Sequence, residues 1–398
     1  MASSSPSSPK RPRMAEAPQP AREDELMSLP PEILDIILAR IPFEKLVRTC
    51  CLSRAWRRRW RSVPNADIRF DWSSPAVPPA RALWRCAAPV RGFRACVRGH
   101  QFYRPARWLL ALARRGVREL AFECESPHVH RPYCLLGPAL FSCAALVGLH
   151  LQNCDMPPAP RGFVGFPSLV SLTLCHVALP FKRGGAQVER LIAAAPCLAE
   201  LKLDEVDTQP FEWSIRAPSL RVLKIVMPKD NGCRIPEELR LLEEAYINID
   251  CFITSTQDFL DTFRRIITVK KLSFDTHWFY TNPLEGIPWK YENLREAHLT
   301  INFGKHPSIM SLFSLLRCAP YIEDLSIEAS QWSSIGEPDE IDEDFLNSEI
   351  SDNLFSSLKY VSLSGIMLPL IVLVYFSIAT AVTRLDASGR RATVVAQA

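Results

Sequence analysis

The chain has 398 residues, 47% hydrophobic and 23% charged, with a formal net charge of +4. That is ample apolar material for one large domain or two. Thirteen cysteines, an odd number, are scattered without a C-x-x-C pair; a reduced intracellular compartment is the natural reading. The charge is uneven: residues 1–118 carry 23 Lys+Arg against 9 Asp+Glu, and residues 119–398 carry 24 against 34. A basic front and an acidic back point to separate surfaces with separate partners.

Residues 1–24 are polar and rich in Ser and Pro, the composition of a disordered tail. They hold no apolar stretch, so no signal peptide is expected. Lys10-Arg11-Pro12-Arg13 resembles a short nuclear-import signal, which makes the nucleus and/or the cytoplasm the expected location.

A helical module is expected over residues 25–66. Pro31 suits the first turn of a helix, where a missing N–H costs nothing, and Glu32 and Asp35 sit near its positive end. Ile33, Ile37 and Ile41 recur at i, i+4, i+8, flanked by Leu34 and Leu38, until Pro42 stops the ladder. A second helix is expected over Phe43–Cys50. Ser53 can cap a third, which carries Trp56 and Trp60 at i, i+4. Three short helices have too small a core to stand alone, so their apolar side needs a partner or a following domain.

The order Leu29-Pro30, Ile33, Leu34, Ile37, Leu38, Ile41-Pro42, Leu46, Val47, Leu52-Ser53, Trp56 resembles the F-box. The resemblance implies docking onto the Skp adaptor of a cullin-based ubiquitin ligase. By matching position, Leu29, Pro30, Ile33, Leu34, Ile37, Leu38, Leu46, Val47 and Trp56 are the expected adaptor-binding residues. Arg54, Arg57, Arg58, Arg59 and Arg61 read as a solvated cationic face, and no nucleic acid partner is expected.

Downstream, the string L-x-x-L-x-L recurs with substitutions. It occurs as Val117/Leu120/Phe122, Leu146/Leu149/Leu151, Leu169/Leu172/Leu174, Leu198/Leu201/Leu203 and Leu220/Leu223/Ile225. It continues as Leu242/Ala245/Ile247, Val269/Leu272/Phe274, Leu294/Ala297/Leu299, Ile322/Leu325/Ile327 and Leu358/Val361/Leu363. The last two sites of each string alternate as one face of a strand requires. Pro167, Pro196, Pro218 and Pro320 stand two residues before the first apolar site, where they end a returning segment and start an extended one. Helical returns are expected around Val188, Leu191, Ile192 and Ala195, and around Ile309, Leu312, Phe313 and Leu316. Strand and return stacked in register predict an α/β solenoid with a curved parallel sheet over residues 67–365. Three residues after the last leucine stand Cys154, Val177 and Val206, so a continuous asparagine ladder is absent.

Together the two patterns resemble plant F-box proteins with leucine-rich repeats, with an FBD-like stretch at 315–365. The fold class this implies is a short three-helix F-box followed by an irregular leucine-rich-repeat solenoid. Residues 366–398 depart from that pattern. Lys359 and Arg384 bracket 24 uncharged residues. Pro369 and the repeat strand at Val361 and Leu363 interrupt this run, and the clean apolar stretch Ile366–Phe376 is too short to span a bilayer. No membrane anchor is expected; a terminal strand or capping segment, or a divergent end, are the readings left.

No phosphate loop, G-x-S-x-G, H-E-x-x-H or dinucleotide fingerprint occurs, so no catalytic residue or cofactor is expected. Cys124, His128, His130 and Cys134 are ligand types that suit zinc, at a spacing that matches no known module; loop residues are the plainer reading. The acidic stretch Glu337–Asp344 reads as a solvated loop. The resemblance implies a substrate receptor that bridges a Skp-type adaptor, and through it a cullin, to a protein target. A scaffold without degradation and a small-molecule receptor are the alternatives, the latter using strand neighbours such as Lys202, Arg221, Lys224 and His298.

Overall fold

In a computed structural model all ten apolar triplets turn inward, and none of their side chains is more than 8% exposed. The structure describes residues 26, 28–41, 43–52, 54, 56–61, 63, 66–71, 87–98, 106–125, 134–180, 184–206, 212–227, 232–249, 256–276, 281–330, 357–364 and 393–396. The N-terminal tail with Lys10–Arg13, the loop with His128 and His130, the acidic stretch 337–344 and residues 366–392 lie outside them, as do Pro42 and Ser53.

The N-terminal module comprises α1 (Pro31–Ala39), α2 (Phe43–Arg48), a 3-10 turn at Thr49–Cys51 and α3 (Trp56–Arg59). The second helix is therefore shorter than expected. The third spans a single turn, with Trp60 just past its end.

The strands are β1 (Ala66–Asp71), β2 (Val90–Arg98), β3 (Glu119–Glu125), β4 (Cys134–Leu135), β5 (Gly148–Gln152), β6 (Cys154–Asp155), β7 (Ser171–Cys175), β8 (Glu200–Asp204) and β9 (Trp213–Ser214). They continue as β10 (Val222–Met227), β11 (Cys233–Arg234), β12 (Glu244–Ile249), β13 (Lys271–Asp275), β14 (Glu296–Ile301), β15 (Asp324–Ala329), β16 (Tyr360–Ser364) and β17 (Thr393–Ala396). All but β4, β6, β9 and β11 form one parallel sheet in chain order; β4 pairs with β6, and β9 with β11. The returns contribute α4 (Ala106–Ala113), α5 (Gly184–Ala193), α6 (Thr256–Arg265) and α7 (His306–Cys318). The fold class is the expected α/β leucine-rich-repeat arrangement behind a short helical module.

Register explains why the triplets recur. Leu120, Leu149, Leu172, Leu201, Leu223, Ala245, Leu272, Ala297, Leu325 and Val361 are successive partners across the sheet. Each strand alone has one apolar edge to hide, and stacking turns those edges into a continuous core. With no asparagine ladder, the main chain ties the repeats together at strand entry. Val147 and Gly148 both donate to the Arg118 carbonyl, Val170 and Ser171 to that of Val147, and Ala199 and Glu200 to that of Val170. The same relay continues through Arg221, Glu243, Lys270, Arg295 and Glu323 to Lys359 and Tyr360.

The proline signal has a different cause from the expected one. Leu169, Leu198, Leu220 and Ile322 each donate to the carbonyl three residues back. Pro167, Pro196, Pro218 and Pro320 thus occupy the second position of a tight turn, where their fixed φ is preset.

Two strands precede the recognisable repeats. β1 and β2 bury Ile68, Val90, Phe93 and Ala95, positions where phenylalanine and alanine replace the leucines. They join the helical module to the sheet: Ala87 and Ala88 donate to the Arg61 carbonyl at 2.8 and 3.2 Å. Leu34, Leu38, Leu46, Trp56, Trp60 and Val63 lie in the same apolar cluster as the sheet leucines. At the other end, β17 adds Val394 beside Val361, so the divergent tail supplies a terminal strand. Among the described residues no helix is long and apolar enough to cross a membrane.

Gly165 marks a close approach between repeats. Its φ is +105°, and a Cβ there would stand 2.0 Å from the Ala194 Cβ and 3.1 Å from the Ala194 carbonyl oxygen. Gly165→Ala should cost roughly 2–5 kcal/mol from backbone strain and overpacking combined. At Gly116, φ is +65° and a Cβ would meet nothing within 4 Å, so the same change should cost about 1–2 kcal/mol. Urea denaturation of the two variants checks the difference; equal losses would mean that the clash with Ala194 is relieved freely.

Candidate functional site

Helix α1 is apolar nearly all round, so burying one face leaves another outside. Pro30 precedes it with an extended ψ of 138°, and its carbonyl accepts from the Leu34 N–H at 3.0 Å. Arg59 of α3 reaches back to the Asp35 carboxylate and to the Pro31 carbonyl, fixing the first turn of α1 against α3. Thr49 Oγ1 donates to the Leu46 carbonyl at 2.6 Å and closes the turn after α2. Arg61 lies over the Trp60 ring at 5.5 Å, and Arg54, Arg57 and Arg58 are exposed.

This geometry divides the nine expected adaptor-binding residues. Leu34, Leu38, Leu46 and Trp56 are at most 3% exposed and serve the chain's own core. Leu29 and Val47 are half-buried against that core. Pro30 is exposed, and Ile33 and Ile37 keep 47% and 40% of their surface in solvent. Ile36, Leu26 and Leu52 are exposed as well and stand outside the nine expected positions. Ile36 falls at i+3 from Ile33, the signal that could have found it.

The second surface is the outward face of the sheet. Its middle row runs through Arg69, Arg94, Ala121, His150, Thr173, Lys202, Lys224, Tyr246, Ser273 and His298 by register. Glu119, Glu200, Glu244 and Glu296 lie on one side of that row, and Glu123, Asp204 and Asp275 on the other. A line of cations and histidines is thus flanked by acids.

Most of its charges are answered within the chain. Lys202 pairs with Glu200, whose carboxyl is held below the usual range mainly by that hydrogen bond. Lys224 Nζ stands 3.1 Å from Asp204, Arg221 3.5 Å from Glu243 and His298 4.0 Å from Glu328. Lys202, Arg221 and Lys224 stand together on β8 and at β10, His298 lies three strands further on at β14, and each is occupied by an acid.

A depression of about 310 Å³ lies elsewhere, over β1, β2, β3, β5 and the start of β7. Gly92, Ala121 and Gly148 form its floor, and Arg69, Arg91, Arg94, Glu119 and His150 stand around it. Small residues on adjacent strands create the space. Glu119 reaches over Gly148, where a Cβ would meet its carboxylate at 1.9 Å. Arg94 pairs with Glu123 at 3.2 Å, whereas Arg69 is exposed and ion-paired to none of the described acids. Burial pushes His150 below the ordinary imidazole range against the pull of Glu123, which favours a neutral ring able to hydrogen-bond at neutral pH. Of the sulfur residues, Cys124 is buried in the core, and burial pushes the Cys143 and Cys318 thiols up to about 12. All three are buried, and the raised pKa of Cys143 and Cys318 disfavours the thiolate form.

Comparison with known proteins locates the two patterns. Residues 26–66 match the model of the F-box domain, and residues 105–274 match that of the leucine-rich repeats of an FBD-associated F-box protein. An F-box/FBD/LRR-repeat protein of Arabidopsis thaliana is 30% identical over 219 residues, 50% of this chain and 48% of its own length. Two FBD-associated F-box proteins of the same plant are 23% identical over 345 residues and 24% over 361, the first covering 77% of this chain and 78% of its own length, the second 87% and 84%. The chain spans about half the length of the first of these relatives.

Proposed function

We propose that this chain, which carries an F-box followed by leucine-rich repeats of the FBD-associated kind, is the substrate-recognition subunit of a Skp-cullin-F-box ubiquitin ligase. The observation that carries this reading is the split of α1: Leu34 and Leu38 are buried in the chain's own apolar cluster, while Ile33, Ile36 and Ile37 remain 40–55% exposed beside Pro30. The outward apolar face docks the Skp-type adaptor, with Leu29 and Val47 at its edges. The shared core holds the repeats rigidly behind it. A target bound on the repeats is then presented to the ubiquitin-loaded enzyme at the far end of the cullin. Acceleration comes from proximity, and no side chain of this chain does bond chemistry. The same reading places the chain in the nucleus or cytoplasm, which imaging of a fluorescent fusion would test.

Affinity purification of the full chain with the cullin inhibited tests the degradative role. A partner that accumulates on the repeats under inhibition supports it; a partner whose level never changes supports a scaffold. The depression over β1–β5 favours a second reading, in which a small acidic ligand or an acidic segment of the target is sensed there. Arg69→Glu/Arg94→Glu reverses its charge on an exposed rim. That double variant should keep the adaptor and lose the bound partner by at least about tenfold; an unchanged partner would remove the depression from the recognition surface.

A further inference from the structure

The exits of β7 and β8 bring four ligand-bearing side chains side by side. Cys175 and Asp204 are register partners. The residues that follow them, His176 and Glu205, both adopt left-handed φ values, 48° and 47°. The His176 N–H donates to the Asp204 carbonyl at 2.7 Å, which locks the two corners together. The Cys175 sulfur, a ring nitrogen of His176 and a carboxylate oxygen of Asp204 all lie within 4.8 Å of one another, and all three residues are half-buried. We propose that Cys175, His176 and Asp204 form a binding site for a divalent transition metal, with zinc the ion that suits them.

The chemistry of the donors supports zinc. One thiolate, one imidazole and one carboxylate are the ligand types it accepts, at bond lengths of about 2.0–2.3 Å. Ligand atoms around such an ion stand roughly 3.3–3.8 Å apart, so small side-chain rotations close the present set. Three protein ligands leave a fourth position for water or for a group of a docked protein. Glu205 completes the arrangement from outside: its carboxylate stands 3.0 Å from His176 Nδ1. A carboxylate on one ring nitrogen orients the other toward a metal. The chief competitor is Lys224, whose ammonium stands 3.1 Å from Asp204 Oδ2 and 5.2 Å from the Tyr246 ring centroid. It leaves Asp204 Oδ1 for an ion but opposes a second cation. The site sits on the outward face of the sheet, apart from the depression over β1–β5 and from the helical module.

Cobalt(II) titration of the metal-stripped full chain tests the site, with the adaptor pull-down as an independent readout of the rest of the molecule. One equivalent should raise a thiolate-to-cobalt charge-transfer band together with the visible bands of tetrahedral cobalt. Cys175→Ser should lose the charge-transfer band, while Cys197→Ser, at an exposed thiol, should keep it. Glu205→Gln should weaken binding by about 10- to 100-fold, and Lys224→Ala should tighten it. No band in the wild-type chain, or a band that survives Cys175→Ser, overturns the proposal. If Cys175→Ser fails to fold, Lys224→Ala decides the matter: an affinity unchanged by removing the competing ammonium also overturns it.

Discussion

Ile33→Ala/Ile37→Ala should weaken binding to a Skp-type adaptor on the order of a hundredfold and cost less fold stability per side chain than truncating the buried leucines of the same helix. Roughly half of each isoleucine is in solvent, 47% and 40%, and that half is what a partner can cover. Its burial contributes about 1–1.5 kcal/mol per side chain, so the pair contributes about 2–3 kcal/mol, or about two powers of ten in affinity. The same two truncations one position further along the helix should behave in the opposite way. Leu34 and Leu38 are 3% and 1% exposed, so Leu34→Ala or Leu38→Ala should cost about 2–5 kcal/mol of fold stability. Adaptor binding would then fall only as far as the module unfolds. Calorimetric titration with purified adaptor, paired with urea denaturation, separates the two classes. If Leu34→Ala abolished binding at unchanged stability, the adaptor would lie on the opposite face of α1.

Phe122→Ala should be the most damaging single truncation in the sheet, at about 3–5 kcal/mol. Phe122 is fully buried and stands between Ala95 on β2 and Leu151 on β5. Its ring centroid lies 5.6 Å from that of Phe93 and 6.4 Å from that of Trp108. The three rings fill the space left by the small Ala95 and join α4 to the strands that carry the helical module. A cavity there loosens both neighbours, because each repeat is held only by the ones beside it. Phe122→Leu, which restores the residue most other repeats use, should cost less than half as much. The urea midpoint should fall with the slope unchanged. An alanine variant within about 1 kcal/mol of wild type would mean that module and repeats do not share the core described above.

The repeats were legible because their signal is physical. Leucine at i, i+3 and i+5 is what a strand entered through a tight turn must place inward, and the pattern survives isoleucine, valine or alanine at single sites. It failed at β1 and β2, where Phe93, Ala95 and Ile68 fill the same inward positions without the leucine string. Expected returns at 188–195 and 309–316 correspond to α5 and α7, since a helix of that length shows its period. Proline in a sequence signals what it forbids, an α conformation before it, whereas the structure uses it for the turn it favours.

The sequence by itself determined the inward set of the sheet and the existence of an apolar helical module, because both follow from hydrophobic period and need no knowledge of neighbours. Only the tertiary structure decided which apolar residues of α1 are spent internally. Ile33, Leu34, Ile36, Ile37 and Leu38 are equally greasy, and their fate depends on which face of the helix the rest of the chain covers. The pairing of Cys175 with Asp204 follows from the triplets, because Leu172/Leu174 and Leu201/Leu203 align and their 29-residue interval carries one residue onto the other. Only the structure decided that His176 joins them: it turns a left-handed corner just past the strand, which sets a ring nitrogen within 4.8 Å of both ligand atoms.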